Sequence, residues 1–133
     1  MSLKEVCSTW SPRLLSVMRI MAGLLFLQHG TVKFLGIPYI ERMANLPAFS
    51  QSWNAGLIEL IGGALLVLGL FTRPVAFICS GTMAFAYFLA HAPRGFYPIL
   101  NGGELAALYC FVFLYLAVAG GGSWSLDALR KRA

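Results

Sequence analysis

Ionisable side chains lie inside stretches that are otherwise apolar: Arg19, His29 and Lys33 in the first, Glu59 in the second, His91 closing the third and Glu104 opening the fourth. Carboxylates beside an imidazole and an ammonium can exchange protons, pair as ions, or hydrogen-bond an oxygen-bearing ligand. In a bilayer such a group costs roughly 2.5 to 3.5 kcal/mol at mid-helix, so it faces an interior and has a partner. Glu59 states the problem most sharply, because Leu57, Ile58, Leu60 and Ile61 flank it; Lys33 or His29 is its expected partner. Arg19 has no acid at its own depth, which leaves it to reach toward Glu59, meet backbone carbonyls, or serve an acidic ligand or partner subunit. Plainer roles exist for others. Glu104 completes a capping box with Asn101, Lys33 snorkels to headgroups, and His91, followed by Ala92-Pro93, bonds the last carbonyls of its helix. Arg19, His29, Lys33, Glu59, His91, Asn101 and Glu104 are therefore the candidate ligand-binding residues; no catalytic set and no metal site is written.

The elements that position them follow from composition. Hydrophobic residues make up 59% of the 133-residue chain, and a mean hydropathy of +0.75 calls for lipid. The expected fold class is all-α: one domain over 1–133, an antiparallel integral membrane four-helix bundle. Its helices run over about 12–36, 54–71, 74–92 and 101–120, each long enough at ~1.5 Å rise per residue to cross, or nearly cross, a hydrocarbon core of ~30 Å. Ser11-Pro12 and Thr72-Arg73-Pro74 read as helix starts, and Asn101-Gly102-Gly103-Glu104 as a capping box. The stretch 37–53, with Pro38, Tyr39, Pro47, Phe49 and Trp53, suits an interfacial outer loop. Residues 121–133 form a basic tail, with Ser125 capping a short helix.

Orientation follows from Lys and Arg. Lys4, Arg13, Arg73, Arg130, Lys131 and Arg132 collect on one side; the other has Arg42, Arg94 and Lys33 at a helix end. The richer side is cytoplasmic, with both termini there. His29, Lys33, Glu59, His91 and Glu104 then converge in the outer leaflet, Glu59 and Glu104 lying ~5 to 8 Å below its surface. Arg19 interrupts the first apolar run and no small-x-small site follows it, so that run is read as retained rather than as a cleaved signal peptide. Gly23 and Gly30 on the first helix, and Gly62-Gly63 on the second, permit close helix approach; the latter pair could instead leave room for a flat ligand.

Other classes are disfavoured. The net charge of +5 sits at segment ends and forms no basic stripe interleaved with aromatics, which argues against nucleic acid. Cys7, Cys79 and Cys110 contain no Cys-x-x-Cys and read as inert thiols.

Arg19, Gly23, Phe26, His29-Gly30 and Lys33; then Gly56, Glu59, Gly62-Gly63, Gly69-Leu70 and Thr72-Arg73; then His91-Ala92-Pro93-Arg94-Gly95-Phe96, Asn101-Gly102-Gly103-Glu104 and Tyr109; and finally Gly120-Gly121-Gly122-Ser123 leading to Ser125-Leu126-Asp127 together resemble the DoxX family of small four-helix bacterial membrane proteins. The resemblance covers about Arg13 to Leu129. It implies a multi-pass protein of the bacterial cytoplasmic (inner) membrane, often named as an oxidoreductase or its membrane subunit, and carries no agreed catalytic residues. Three functions follow. In the first, the outer-leaflet cluster holds a quinone headgroup, with His29 or Lys33 donating a hydrogen bond and Glu59 or Glu104 exchanging protons. No flavin, iron–sulfur or nicotinamide motif is present, so electrons come from a redox partner protein; haem between His29 and His91 is disfavoured, because His91 sits at a helix end. In the second, the chain is a non-enzymatic assembly or interaction protein, with a homo-oligomer one form of it. In the third, it is a proton or small-solute pathway.

Overall fold

A computed structural model describes residues 1–132, excluding the side chain of Arg132; the last residue of the 121–133 tail lies outside them. All regular structure among the described residues is helical. Three helices are long and apolar enough to cross a membrane: α1 (Leu3–Leu35), α2 (Gln51–Leu68), and α3 (Thr72–Ala86) with its continuation to Arg94. That continuation is a π-helical turn, Tyr87–His91, and a 3₁₀ turn, Ala92–Arg94. Then come α4 (Pro98–Asn101), the shorter apolar α5 (Glu104–Ala119) and α6 (Leu126–Arg132).

Several helix starts differ from the sequence expectation, each for a local reason. α1 begins at Leu3 rather than near Pro12, because Ser2 and Glu5 form a capping box: the Glu5 amide donates to Ser2 Oγ at 3.2 Å and the Ser2 amide to Glu5 Oε2 at 2.6 Å. Pro12 lies inside the helix. α2 begins at Gln51, where Ser50 Oγ accepts from the Trp53 amide at 3.3 Å. Thr72 does not cap α3. The cap is Phe71, at φ 51°, and the open amides of Phe71 and Thr72 donate to Asp127 Oδ1 and Oδ2 at 2.8 and 2.9 Å. An ionised carboxylate complements a helix N-terminus better than a hydroxyl does.

Nor do Asn101 and Glu104 form a capping box. Asn101 ends α4, Gly102 follows in the left-handed conformation at φ 74°, and the cap of α5 falls on Gly103, which has no side chain to offer. Asn101 Oδ1 accepts the Gly103 amide at 2.8 Å instead, and Glu104 is exposed.

α1 packs along α2 through small residues. A Cβ on Gly30, Gly63 or Gly23 would lie within 3.0 Å of the backbone of Leu60, Leu27 or Val67 respectively, so each glycine marks a place where two helix backbones nearly touch. Gly62 is closed by Cys79 Sγ. The Gly62-Gly63 pair is thus filled by packing, not left open for a flat ligand. α3 runs beside α5, where Ser80 Oγ donates to the Cys110 carbonyl at 2.7 Å. Phe26, Leu66, Cys79, Phe113 and Leu116 meet between the two pairs with no exposed surface.

One end of the molecule is closed by a buried cation. Arg19 is 1% exposed. Its Nε donates to the Leu66 carbonyl at 2.8 Å, Nη1 to Gly121, and Nη2 to Trp124 at 2.9 Å and, at 3.5 Å, to Val67. The Leu66 and Val67 carbonyls belong to the last turn of α2, where a helix leaves its acceptors open and a cation is favoured. Gly69 caps α2 at φ 67°, and a Cβ there would sit 2.8 Å from the guanidinium carbon. Glycine is required twice over, for the conformation and for the space. Ser16 Oγ reinforces the closure by donating to the Gly121 carbonyl at 3.0 Å and accepting from the Trp124 amide at 2.9 Å.

Arg19→Lys should lose most of the stability that Arg19→Met loses, since an ammonium cannot reach carbonyls spread around a planar fork. Thermal unfolding in detergent measures it, and a lysine variant matching wild type would contradict the fork. Burial works against ionisation of Asp127, but hydrogen bonds from Thr72 and the Phe71 amide, with the Arg130 charge, outweigh it and lower its carboxyl below the ordinary value. A folded-state pKa below the unfolded ~3.9 stabilises the protein above that value and is lost as pH falls through the folded one. The midpoint of Asp127→Asn should accordingly fall less than that of wild type between about pH 5 and pH 3, with a loss near 1 kcal/mol at neutral pH.

Candidate functional site

At the end opposite Arg19, the last turns of α1, the first turns of α2, the end of α3 and the start of α5 surround an open cavity of about 730 Å³. That volume lies in the range of small-molecule sites. Its walls are mostly apolar, with Phe26, Ile58, Met83, Leu89 and Leu105 among them. Polar side chains line it as well, Gln51, Ser52, Asn54 and Thr82 among them beside the ionisable groups.

Lys33 Nζ and Glu59 Oε2 lie 2.7 Å apart, with side chains 10% and 7% exposed. This is the ion pair the depths of the two residues anticipated. The two meet because Gly56, one turn before Glu59, leaves the Lys33 stem room to lie against α2: a Cβ there would be 2.8 Å from Lys33 Cδ. His29 stands one turn before Lys33 and lines the same cavity, its ring edge-on to Tyr109 at 6.4 Å between centroids. Among the described residues its nitrogens make no hydrogen bond. His91 also lines the cavity, half-buried, with Nδ1 3.1 Å from the Asn101 carbonyl. A carbonyl only accepts, so Nδ1 carries the proton in this contact and Nε2 is the acceptor of the neutral ring. The π-helical turn that carries His91 widens the helix end just where it borders the cavity.

The remaining sequence candidates lie apart. Asn101, 1% exposed, is fully engaged: its Nδ2 donates to Gly95 O at 2.9 Å and to Tyr87 Oη at 3.3 Å, and its Oδ1 holds Gly103. It shapes the α3–α5 connection and does not line the cavity. Glu104 is exposed and lies outside it, and Arg19 is at the far end. Of the five residues expected to converge, His29, Lys33, Glu59 and His91 line the cavity and Glu104 does not, and the charges among them form one ion pair.

The cavity contains a group that the sequence reading passed over. Tyr109 is 5% exposed and lines the cavity, yet among the described residues its hydroxyl has no hydrogen-bond partner. Its ring is fixed between Phe26, edge-on at 5.6 Å, and Phe113, stacked at 5.3 Å. A buried hydroxyl left unpaired costs about 1 to 3 kcal/mol. Arg42 and Arg94 line the cavity from the connecting segments. The available signal for Tyr109 was its type: a polar-tipped aromatic in the middle of an apolar helix normally finds a partner.

The DoxX family model matches residues 14–92. This chain belongs to the DoxX family. An uncharacterized protein of Haemophilus influenzae is 46% identical over 122 residues, which span 89% of this chain and 91% of that one. CatD of Bacillus subtilis, which carries a provisional oxidoreductase name, is 29% identical over 84% of this chain and 82% of its own. An uncharacterized membrane protein of Mycobacterium tuberculosis is 30% identical over 86% of this chain and 80% of its own. No solved structure matches at a significant level. With its apolar spans and this family, the DoxX chain is a membrane protein.

Removing one partner of a buried ion pair strands the other charge. Glu59→Gln should cost roughly 3 kcal/mol, against less than about 0.5 kcal/mol for Glu41→Gln on the exposed turn Glu41–Met43. The double variant Lys33→Met, Glu59→Leu should be more stable than Glu59→Gln alone. Equal losses for Glu59→Gln and Glu41→Gln in detergent unfolding would contradict the pair.

Proposed function

We propose that this DoxX protein is the membrane subunit of a redox system and that its cavity holds the headgroup of a quinone-type ligand. The reading includes one domain, an antiparallel four-helix bundle of the bacterial cytoplasmic membrane. Both termini and the basic tail are cytoplasmic, and the 37–53 segment lies along the outer surface. The α1–α2 glycine contacts, which pair Gly30 with Leu60 and Gly23 with Val67, support the antiparallel arrangement. Arg42 and Arg94 stand at the cavity end, while Lys4, Arg73, Arg130 and Lys131 stand toward the other, which supports the orientation.

The observation that carries the ligand class is the Tyr109 hydroxyl: a buried donor without an acceptor, in an apolar cavity beside His29 and the Lys33–Glu59 pair. A ligand carbonyl supplies what it lacks once the side chains around it shift, since the hydroxyl oxygen itself is closed off from the cavity. The walls suit a flat lipid-soluble ring, and the polar groups are those that reduction to the hydroquinone needs. That reduction takes two electrons and two protons. Tyr109 holds one oxygen, and His29 and Glu59 pass protons to and from the ring oxygens. Lys33 holds the Glu59 carboxylate in place at 2.7 Å. The sequence contains no flavin, iron–sulfur or nicotinamide motif, so a partner protein supplies the electrons. The provisional oxidoreductase name of CatD agrees with this reading.

Mass spectrometry of lipid-soluble molecules co-purifying with the protein should find a quinone on wild type that is depleted on Glu59→Gln. Tyr109→Phe should weaken binding of a short-chain ubiquinone by roughly tenfold while leaving the ligand-free thermal midpoint equal or higher, because it removes an unpaired hydroxyl. Wild type without quinone would overturn the function. Wild type and Tyr109→Phe binding alike would remove only the role of Tyr109.

A further inference from the structure

The end closed by Arg19 has a second cleft, of about 540 Å³, between the α2–α3 turn, the loop after α5 and α6. Phe71, Arg73, Asp127, Arg130 and Lys131 line it. Its charges are unbalanced. Both oxygens of Asp127 accept backbone amides from the start of α3, so that carboxylate is already engaged. Among the described residues, none of the three cations has a carboxylate within ion-pair distance.

Two of those cations are held in place. Arg73 Nη1 donates to the Val118 carbonyl at 2.5 Å, and the Arg130 guanidinium lies over the Phe71 ring at 4.8 Å. Each keeps further N–H groups free. The Arg73 turn joins two membrane-crossing candidates, which puts the cleft at a headgroup level. Directly beneath, on the same helices, Phe77 one turn along from Arg73 and Val118 bonded to it are 65% and 72% exposed. A cationic rim thus continues into an uncovered apolar face.

We propose that this cleft is a binding site for an anionic phospholipid. The phosphate is held by Arg73, Arg130 and Lys131, and an acyl chain lies against Phe77 and Val118. Charge complementarity selects the phosphate, and the apolar face below selects an amphiphile over a free anion. Unlike the redox reading, this site depends only on the chain lying in a membrane.

The test is lipid retention by the full chain in detergent, read by native mass spectrometry with phosphatidylglycerol or phosphatidylcholine added. Wild type should retain phosphatidylglycerol several-fold better than phosphatidylcholine. Arg130→Gln, Lys131→Gln, on exposed side chains that leave the Asp127 cap intact, should lower phosphatidylglycerol retention roughly tenfold, since each cation near a membrane surface contributes measurably. Lys4→Gln, Arg13→Gln should leave it unchanged. Equal retention of the two lipids, or an unaffected Arg130/Lys131 variant, would overturn the proposal. Displacement of the lipid by millimolar inorganic phosphate would show a free-anion site, and would overturn it as well.

Discussion

A guanidinium buried to 1% exposure sets the geometry of one whole end of this molecule. Its donors must find acceptors where neither water nor an acid is at hand, and a planar fork accepts them only from particular directions. The carbonyls that meet this demand come from the last turn of α2 and from the loop that follows α5. Satisfying Arg19 therefore fixes where α2 stops and where the chain after Ala119 must run. That path delivers Asp127 to the N-terminus of α3. α1, α2, α3, the loop after α5 and α6 are tied through two charged side chains, Arg19 and Asp127, and their partners are backbone groups.

The two ends of the molecule treat ionisable groups in opposite ways. At the Arg19 end the cation is saturated by fixed dipoles. At the cavity end Lys33 and Glu59 neutralise one another, and among the described residues His29 has no hydrogen-bond partner and the Tyr109 hydroxyl is unpaired although its ring is locked by Phe26 and Phe113. Saturation makes a structural joint. Incomplete saturation in a pre-formed space is how a protein keeps hydrogen-bonding capacity for something else.

What the sequence revealed divides along the range of the interactions. The apolar spans were readable because hydropathy is additive over a segment. An interior partner for Glu59, Lys33 or His29, was readable because depths along helices of known rise must match, but which of the two was not. The glycines of α1 and α2 were readable as close approaches. Helix starts were harder, because competing local signals exist. Ser11-Pro12 resembles a start, but Ser2 and Glu5 satisfy each other earlier and the helix runs through Pro12. Asn101 and Glu104 have capping spacing, but two glycines between them shift the cap to Gly103. The α3 cap was illegible in principle: its donor amides, Phe71 and Thr72, and its acceptor, Asp127, lie 56 and 55 residues apart, and no local pattern joins them. Tyr109 was hidden differently, since its significance is the absence of a partner, which only a folded environment can display.

The Arg19 joint also fixes an order of events. α1 is made first, and its guanidinium enters an apolar environment long before Gly121 and Trp124, 102 and 105 residues later, have been synthesised. Before residues 121–124 are in place, the guanidinium lacks the Gly121 and Trp124 carbonyls and keeps only those of Leu66 and Val67. The joint at this end is thus a late contact built onto an early one, and it couples the first helix to a segment more than a hundred residues downstream.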